Sequence, residues 1–362
     1  MQVNYKSIIV LCLLLGFAAC KKEQPSDTTE DNPFDKGALL ANMADALVIP
    51  TYSAMVVKCD SLVMAVNSFT TSPNESQLQL LRGVFSRTYM QYQTASIFGF
   101  GPAEDLNVRT NCNVFPTDTI KINNNIVKGT WNLDAATNTA AKGFPAIEFL
   151  LYGFNASSAQ LISGYTNTNR TKYLVELTKS IKSVFQQINS EWKNTYRSSF
   201  TTQLGTDIGS PIGYLVNQLN FELDYLKNAK IATPVGLRSD GIPHPDNCEG
   251  FYAGKSVPFA LATLDAIEMV YRGGQGIGFD DYLDHLGVTN GNDRLTVLIT
   301  NQFTKCREKL SAIPDPMSSH VISDKAVLEA AYKELVQLLV YLKTDLPSAL
   351  GVVITYQDGD GD

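Results

Sequence analysis

The residue best placed to do chemistry in this 362-residue chain is Glu148, the single acid in the stretch Lys142 to Gly153, KGFPAIEFLLYG. Ionised carboxylates are seldom buried alone, so an acid inside an apolar helical turn is paired, metal-bound or set in a cleft. A second stretch, CEGFYAGKS from Cys248 to Ser256, offers Glu249, Tyr252 and Ser256. Glu249 facing Glu148 would supply hard oxygen ligands to a cation or a cationic group. Placed in the first turn of a helix, it would instead complement the helix dipole. Tyr252 and Ser256 add hydroxyls to the same cleft, or serve packing and capping. Three histidines exist, His244, His285 and His320. His244 lies four residues before Cys248 and could supply a nitrogen ligand, although a loop position between two prolines explains it as well. A metal ion (iron, zinc or calcium) is thus the candidate cofactor, with Glu148, Glu249 and His244 as its candidate ligands. No Ser, His and Asp triad can be read from spacing, because triads are defined by geometry. The glycines of RGGQGIGFDD follow no strand and read as an interhelical turn rather than a phosphate loop. The terminal DGDGD stops before the closing Glu of a calcium loop and reads as a solvated acidic tail.

Gly143, with Glu148 five residues on, resembles the signature of the imelysin family, the M75-type peptidase-like proteins. In that signature a histidine stands two residues after the Gly; here the position is Pro145, which has no nitrogen to offer. Leu47 to Tyr52, LVIPTY, resembles the family's opening helix, and Phe98 to Pro102, FGFGP, the turn that ends its second long helix. CEGFYAGKS resembles its second motif, with Glu249 at the acidic position, and the chain end from Leu346 resembles the acidic terminus of lipoprotein members. The resemblance implies an all-α fold of two helical-bundle domains with a cleft at their junction. It implies the missing histidine and Glu148 as the metal-binding or catalytic pair, and a link to peptidase activity or iron-related transport; the candidate ligand-binding set is Gly143, Glu148 and Glu249 with Tyr252 and Ser256 beside them. With the histidine missing, the expected role is non-catalytic binding of a metal or small-molecule ligand, tied to iron or metal uptake. The alternatives are a metallopeptidase that has substituted a ligand such as His244, and a surface module that docks an envelope protein.

The elements that must position these residues are helices. Apolar residues step by three and four in Leu174, Leu177, Ile181, Val184, Ile188 and Trp192, in Ile212, Leu215, Leu219, Leu223 and Leu226, and in Leu328, Ala331, Leu335, Leu338 and Leu342. Further helices are predicted over Lys36 to Asn67, Glu75 to Phe98, Ser256 to Tyr271 and Asp293 to Ala312. The one strand signal is Thr119 to Val127, where Ile120, Ile122 and Ile126 alternate with polar residues. A faint echo between GFPAIEFLLYG and TLDAIEMVYRG is compatible with an internal duplication, or with chance in two amphipathic helices.

Export sets the context. Lys6, the apolar run Ile8 to Phe17 and the small residues Ala18 and Ala19 before Cys20 read as a signal peptide over residues 1–19 with a lipoprotein processing site. Residues 20–36 read as the lipidated N-terminus and a flexible tether. The roughly 325 residues that follow exceed what one core usually holds, so two domains are expected, 37–200 and 201–362. No later stretch reads as apolar enough to span a bilayer. A net charge of −7 without a basic cluster excludes nucleic acid as a partner class. Lys21 after the lipidated Cys20 gives no acidic retention signal, so the expected location is the bacterial envelope, held by lipid, with the outer membrane preferred. Cys59, Cys112, Cys248 and Cys306 remain in an oxidising compartment. An even count there leads to an expectation of at least one disulfide, with three connectivities open and a buried thiol as the alternative for Cys306.

Overall fold

The structure, a computed structural model, describes residues 33–355. The signal peptide, Cys20, most of the tether and the acidic tail lie outside the described residues. The described residues 35–355 form one compact unit.

Helix α1, Lys36–Thr71, starts at Asp35, whose Oδ1 accepts the Ala38 N–H at 2.8 Å. Helix α2, Glu75–Ala95, starts at Asn74, which caps the Gln77 N–H at 3.0 Å. A 3-10 turn, Ser96–Phe98, ends α2. The chain then passes through two short helical turns, Pro102–Asp105 and Val108–Cys112. Helix α3 is Thr119–Lys128, α4 Gly143–Tyr152 and α5 Thr168–Glu191. Beyond residue 200 follow α6, Pro211–Tyr225, α7, Ser256–Tyr271, α8, Leu295–Ser311, and α9, Lys325–Val340. Among the described residues the only strands are β1, Thr289–Asn290, and β2, Asp293–Arg294, paired antiparallel.

The apolar stripes face the core as their period requires: Leu174 through Trp192, Ile212 through Leu226 and Leu328 through Leu342 are buried almost throughout. Helix α1 packs against α2 and α5, and α2 packs across the expected boundary at residue 200 against α7. That boundary falls in the connection before α6. By length and composition α1 could cross a bilayer, contrary to the sequence expectation. Its apolar side, including Met43, Tyr52, Met55, Leu62 and Phe69, is instead buried in the protein.

Of the four π-turns among the described residues, three, Met43–Val48, Leu226–Ala232 and Tyr341–Asp345, each end two residues before a proline, Pro50, Pro234 and Pro347, while the fourth, Trp192–Tyr196, does not. Proline lacks an N–H and its ring crowds the carbonyl four residues back. A widened turn moves that carbonyl aside, so the helix continues where a proline would otherwise break it.

Two sequence expectations are corrected. Thr119 to Val127 is helical, not a strand: Ile122 and Ile126 stand one turn apart on a buried face, Ile120 is 73% exposed, and Asp118 caps the Lys121 N–H. A spacing of four satisfies a helix as well as alternation satisfies a strand, and the cap decides for the helix. The expected disulfide is also absent, since Cys59, Cys112, Cys248 and Cys306 are all free and buried. Burial pushes the thiols of Cys112, Cys248 and Cys306 up to about 12, so these are inert core side chains rather than nucleophiles.

Candidate functional site

Helix α4 delivers Glu148. Its first residue, Gly143, has φ +79, and a Cβ there would stand 2.3 Å from the Cys112 carbonyl oxygen. Glycine is therefore needed for the close approach of two backbones, not for contact with a ligand. Pro145 lies in the first turn, where a missing N–H costs nothing, and is buried. Glu148 is 1% exposed. Its Oε1 accepts the Ala253 N–H at 2.9 Å, and the Tyr252 N–H also bonds the carboxyl. Burial pushes this carboxyl up to about 8; the two amides pull it down and the neighbouring charge of Glu249 pushes it further up. Glu148 thus clasps the turn of the second stretch as an uncharged acid at neutral pH.

Glu249 is equally buried but charged. Its Oε2 lies 2.7 Å from Lys230 Nζ, and its Oε1 accepts from Asn113 Nδ2 at 2.7 Å and Gln93 Nε2 at 2.8 Å. Lys230 in turn donates to Gln93 Oε1 at 2.6 Å and Thr263 Oγ1 at 2.7 Å, while the Tyr89 hydroxyl donates to Asn113 Oδ1 at 2.6 Å. Burial opposes ionisation of Glu249, but the Lys230 ammonium and the two amide donors outweigh it and hold the carboxyl below its ordinary value. The network joins α2, the segment after Val108–Cys112, the π-turn that carries Lys230, and α7.

Ser256 donates to the Glu249 carbonyl at 2.6 Å and so closes the turn that leads into α7. Tyr252 packs against Phe149 and Phe251, with ring centroids 5.3 and 5.0 Å away. That turn forms one wall of a groove of about 810 Å³, lined by Phe154, Phe251, Tyr252, Lys255, Asp315 and Ser318 among others. Of the candidate residues, the structure joins Glu148 to Tyr252 and Ser256 to Glu249. His244 stays apart: its backbone N–H donates to the Pro234 carbonyl, and it precedes the 3-10 turn Pro245–Asn247. His320 bonds Asp324 at 2.7 Å, and the glycine-rich stretch is an interhelical turn tied to α1 by Asn42, which donates to the Gly273 and Ile277 carbonyls.

A metal implied by the family resemblance does not fit this donor set. Glu249 is neutralised by Lys230, Glu148 Oε1 faces amide hydrogens, and Pro145 has no donor atom. Among the described residues no group of three or more His, Cys, Asp or Glu side chains is gathered to hold a metal ion.

Sequence reasoning missed Lys230, Gln93 and Asn113. For Lys230 a signal existed, because it continues the buried stripe Leu219, Leu223, Leu226 at a further step of four. A lysine on an apolar stripe calls for a buried acid. The echoed stretches also diverge here: Glu268, the counterpart of Glu148, is paired with Arg272 at 2.8 Å and Arg307 at 2.7 Å.

Two solved structures share the fold. One is an iron-regulated protein A precursor from Parabacteroides distasonis ATCC 8503, with a TM-score of 0.74 and 18% identity, covering 87% of this chain and 95% of that one. The other is an imelysin-like protein from Psychrobacter arcticum 273-4, with a TM-score of 0.71 and 17% identity, covering 89% and 97%. A search of curated proteins finds no match. The family model for imelysin, peptidase M75, matches residues 48–346, and the chain therefore belongs to the imelysin family.

Proposed function

We propose that this is a non-catalytic imelysin-type envelope lipoprotein, lipidated at Cys20, that binds its ligand in the groove beside the Tyr252 turn and serves iron-related uptake. The observation that carries the reading is the Glu148 clasp. The acid of the first family stretch fixes the backbone of the second, which forms one wall of the groove, and this supports a positioning role for both stretches. Phe154, Phe251 and Tyr252 give the groove an aromatic face, and Lys255 and Asp315 supply charges of both signs to orient an organic ligand. The iron connection comes from the Parabacteroides neighbour, an iron-regulated protein precursor by name, and belongs first to that protein.

The test is calorimetry on the chain beginning after Cys20, titrated with ferrous, ferric, zinc and calcium ions, alongside a peptide-hydrolysis assay. The expected result is no one-to-one metal binding that depends on Glu148 and no hydrolysis. A stoichiometric transition metal lost in Glu148→Gln, with hydrolysis restored by that metal, would overturn the reading in favour of a metallopeptidase.

A further inference from the structure

The tip of the β1–β2 hairpin carries a reactive pair that is independent of the groove beside Tyr252. Two residues, Gly291 and Asn292, join Asn290 to its strand partner Asp293. Gly291 takes φ +64, as the first position of so short a hairpin turn demands, and a Cβ there would meet nothing within 4 Å. Asn290, Gly291 and Asn292 are all exposed. Asn290 is the one asparagine in the chain that is followed by glycine.

That pairing opens a reaction without any catalyst. The Gly291 amide nitrogen attacks the Asn290 side-chain carboxamide carbon, the new C–N bond closes a five-membered succinimide, and the carboxamide nitrogen leaves as ammonia. Water then opens the ring at either carbonyl, giving aspartate or its isoaspartyl isomer, with no oxidation or reduction. The attacking amide has to be free of other bonds. The Gly291 N–H has no acceptor among the described residues. In the related Asp240–Gly241 pair the glycine N–H is instead donated to the Gly236 carbonyl at 2.9 Å, which slows ring closure about fivefold. Asn67–Ser68 and Asn189–Ser190, the two pairs with a small hydroxyl residue in the attacking position, lie inside α1 and α5, where the helical bond holds the amide until the helix opens.

The Asn290 side chain also has a structural task. Its Nδ2 donates to Asp345 Oδ2 at 3.0 Å and ties the hairpin tip to the end of the Tyr341–Asp345 π-turn. The two groups border a cavity of about 400 Å³ together with Ser348 and Ala349. A single exposed bond of this kind opens readily, which frees the carboxamide to meet the Gly291 nitrogen. After conversion the donor NH2 is a carboxylate oxygen facing Asp345, and the tie becomes a like-charge contact.

We propose that Asn290 is a site of spontaneous deamidation in the folded protein, and that the product releases the hairpin tip from Asp345. The test is peptide mass mapping, with isoaspartate detection, of the chain beginning after Cys20 held in mildly alkaline buffer. The Asn290 peptide is expected to exchange its amide for an acid about tenfold faster than the Asn67 and Asn189 peptides, and in urea those two should accelerate far more than Asn290. The second measurement is amide hydrogen exchange in Asn290→Asp, which stands for the product. The Leu295 N–H, bonded to the Val288 carbonyl at 3.0 Å at the base of the hairpin, should exchange about fivefold faster than in the native chain. An Asn290 peptide that reacts no faster than the helical asparagines would overturn the modification site. Unchanged exchange at Leu295 in Asn290→Asp would overturn the release.

Discussion

Glu148 and Glu249 are the acids of the two family stretches and are equally buried, yet they are accommodated in opposite ways. Glu249 keeps its charge because Lys230, Gln93 and Asn113 surround it. Burial, with the charge of Glu249 adding to it and two backbone amides opposing it, pushes the Glu148 carboxyl up to about 8. The difference teaches that a buried acid in a family motif is not by itself a metal ligand. Its partners decide whether it is a charge, a clasp or a ligand.

The comparison breaks most visibly at Lys230. Lys230→Met would leave Glu249 buried without a counter-charge, and urea denaturation at neutral pH should show a loss of about 3–5 kcal/mol. Adding Glu249→Gln to that variant should recover part of the loss, and no recovery would mean that the pair is not coupled. On the clasp side, Gly143→Ala forces a strained φ and a clash with the Cys112 carbonyl, with an expected loss of about 3 kcal/mol in the same measurement. A substitution tolerated within a few tenths there would show that Gly143 has no packing role. Smallest is Ser256→Ala, which removes one bond to the Glu249 carbonyl; it should cost about 1 kcal/mol and leave the Glu249 network intact.

Much of this was legible in the sequence, and the reasons differ from place to place. The helices with three- and four-residue stripes, such as Leu174 to Trp192, are set by local period and were readable. Glu148 was readable as an acid in an apolar setting, because burial of a charge stands out against its neighbours. The partners of Glu249 were not, since Gln93, Asn113 and Lys230 lie 156, 136 and 19 residues away in the chain on three separate segments, which only the tertiary fold, with α7 packed on α2 and on the Lys230 π-turn, brings together. The expected disulfide failed for a related reason: compartment and even count say nothing about whether two cysteines share a neighbourhood.

The most direct test of the clasp is unfolding free energy against pH for the native chain and Glu148→Gln. A carboxyl raised from 4.5 to about 8 on folding contributes stability that is fully present below 4.5 and is lost as pH rises through about 8. Glu249, lowered on folding, contributes stability present above 4.5 and lost as pH falls below it. The native protein should therefore weaken between pH 5 and pH 8.5 relative to Glu148→Gln, whose neutral amide can still accept the Ala253 N–H, while both weaken alike in acid. Parallel curves between pH 5 and pH 8.5, or a native chain that gains on the variant as pH rises, would show that Glu148 is ionised in the folded protein and contradict the clasp.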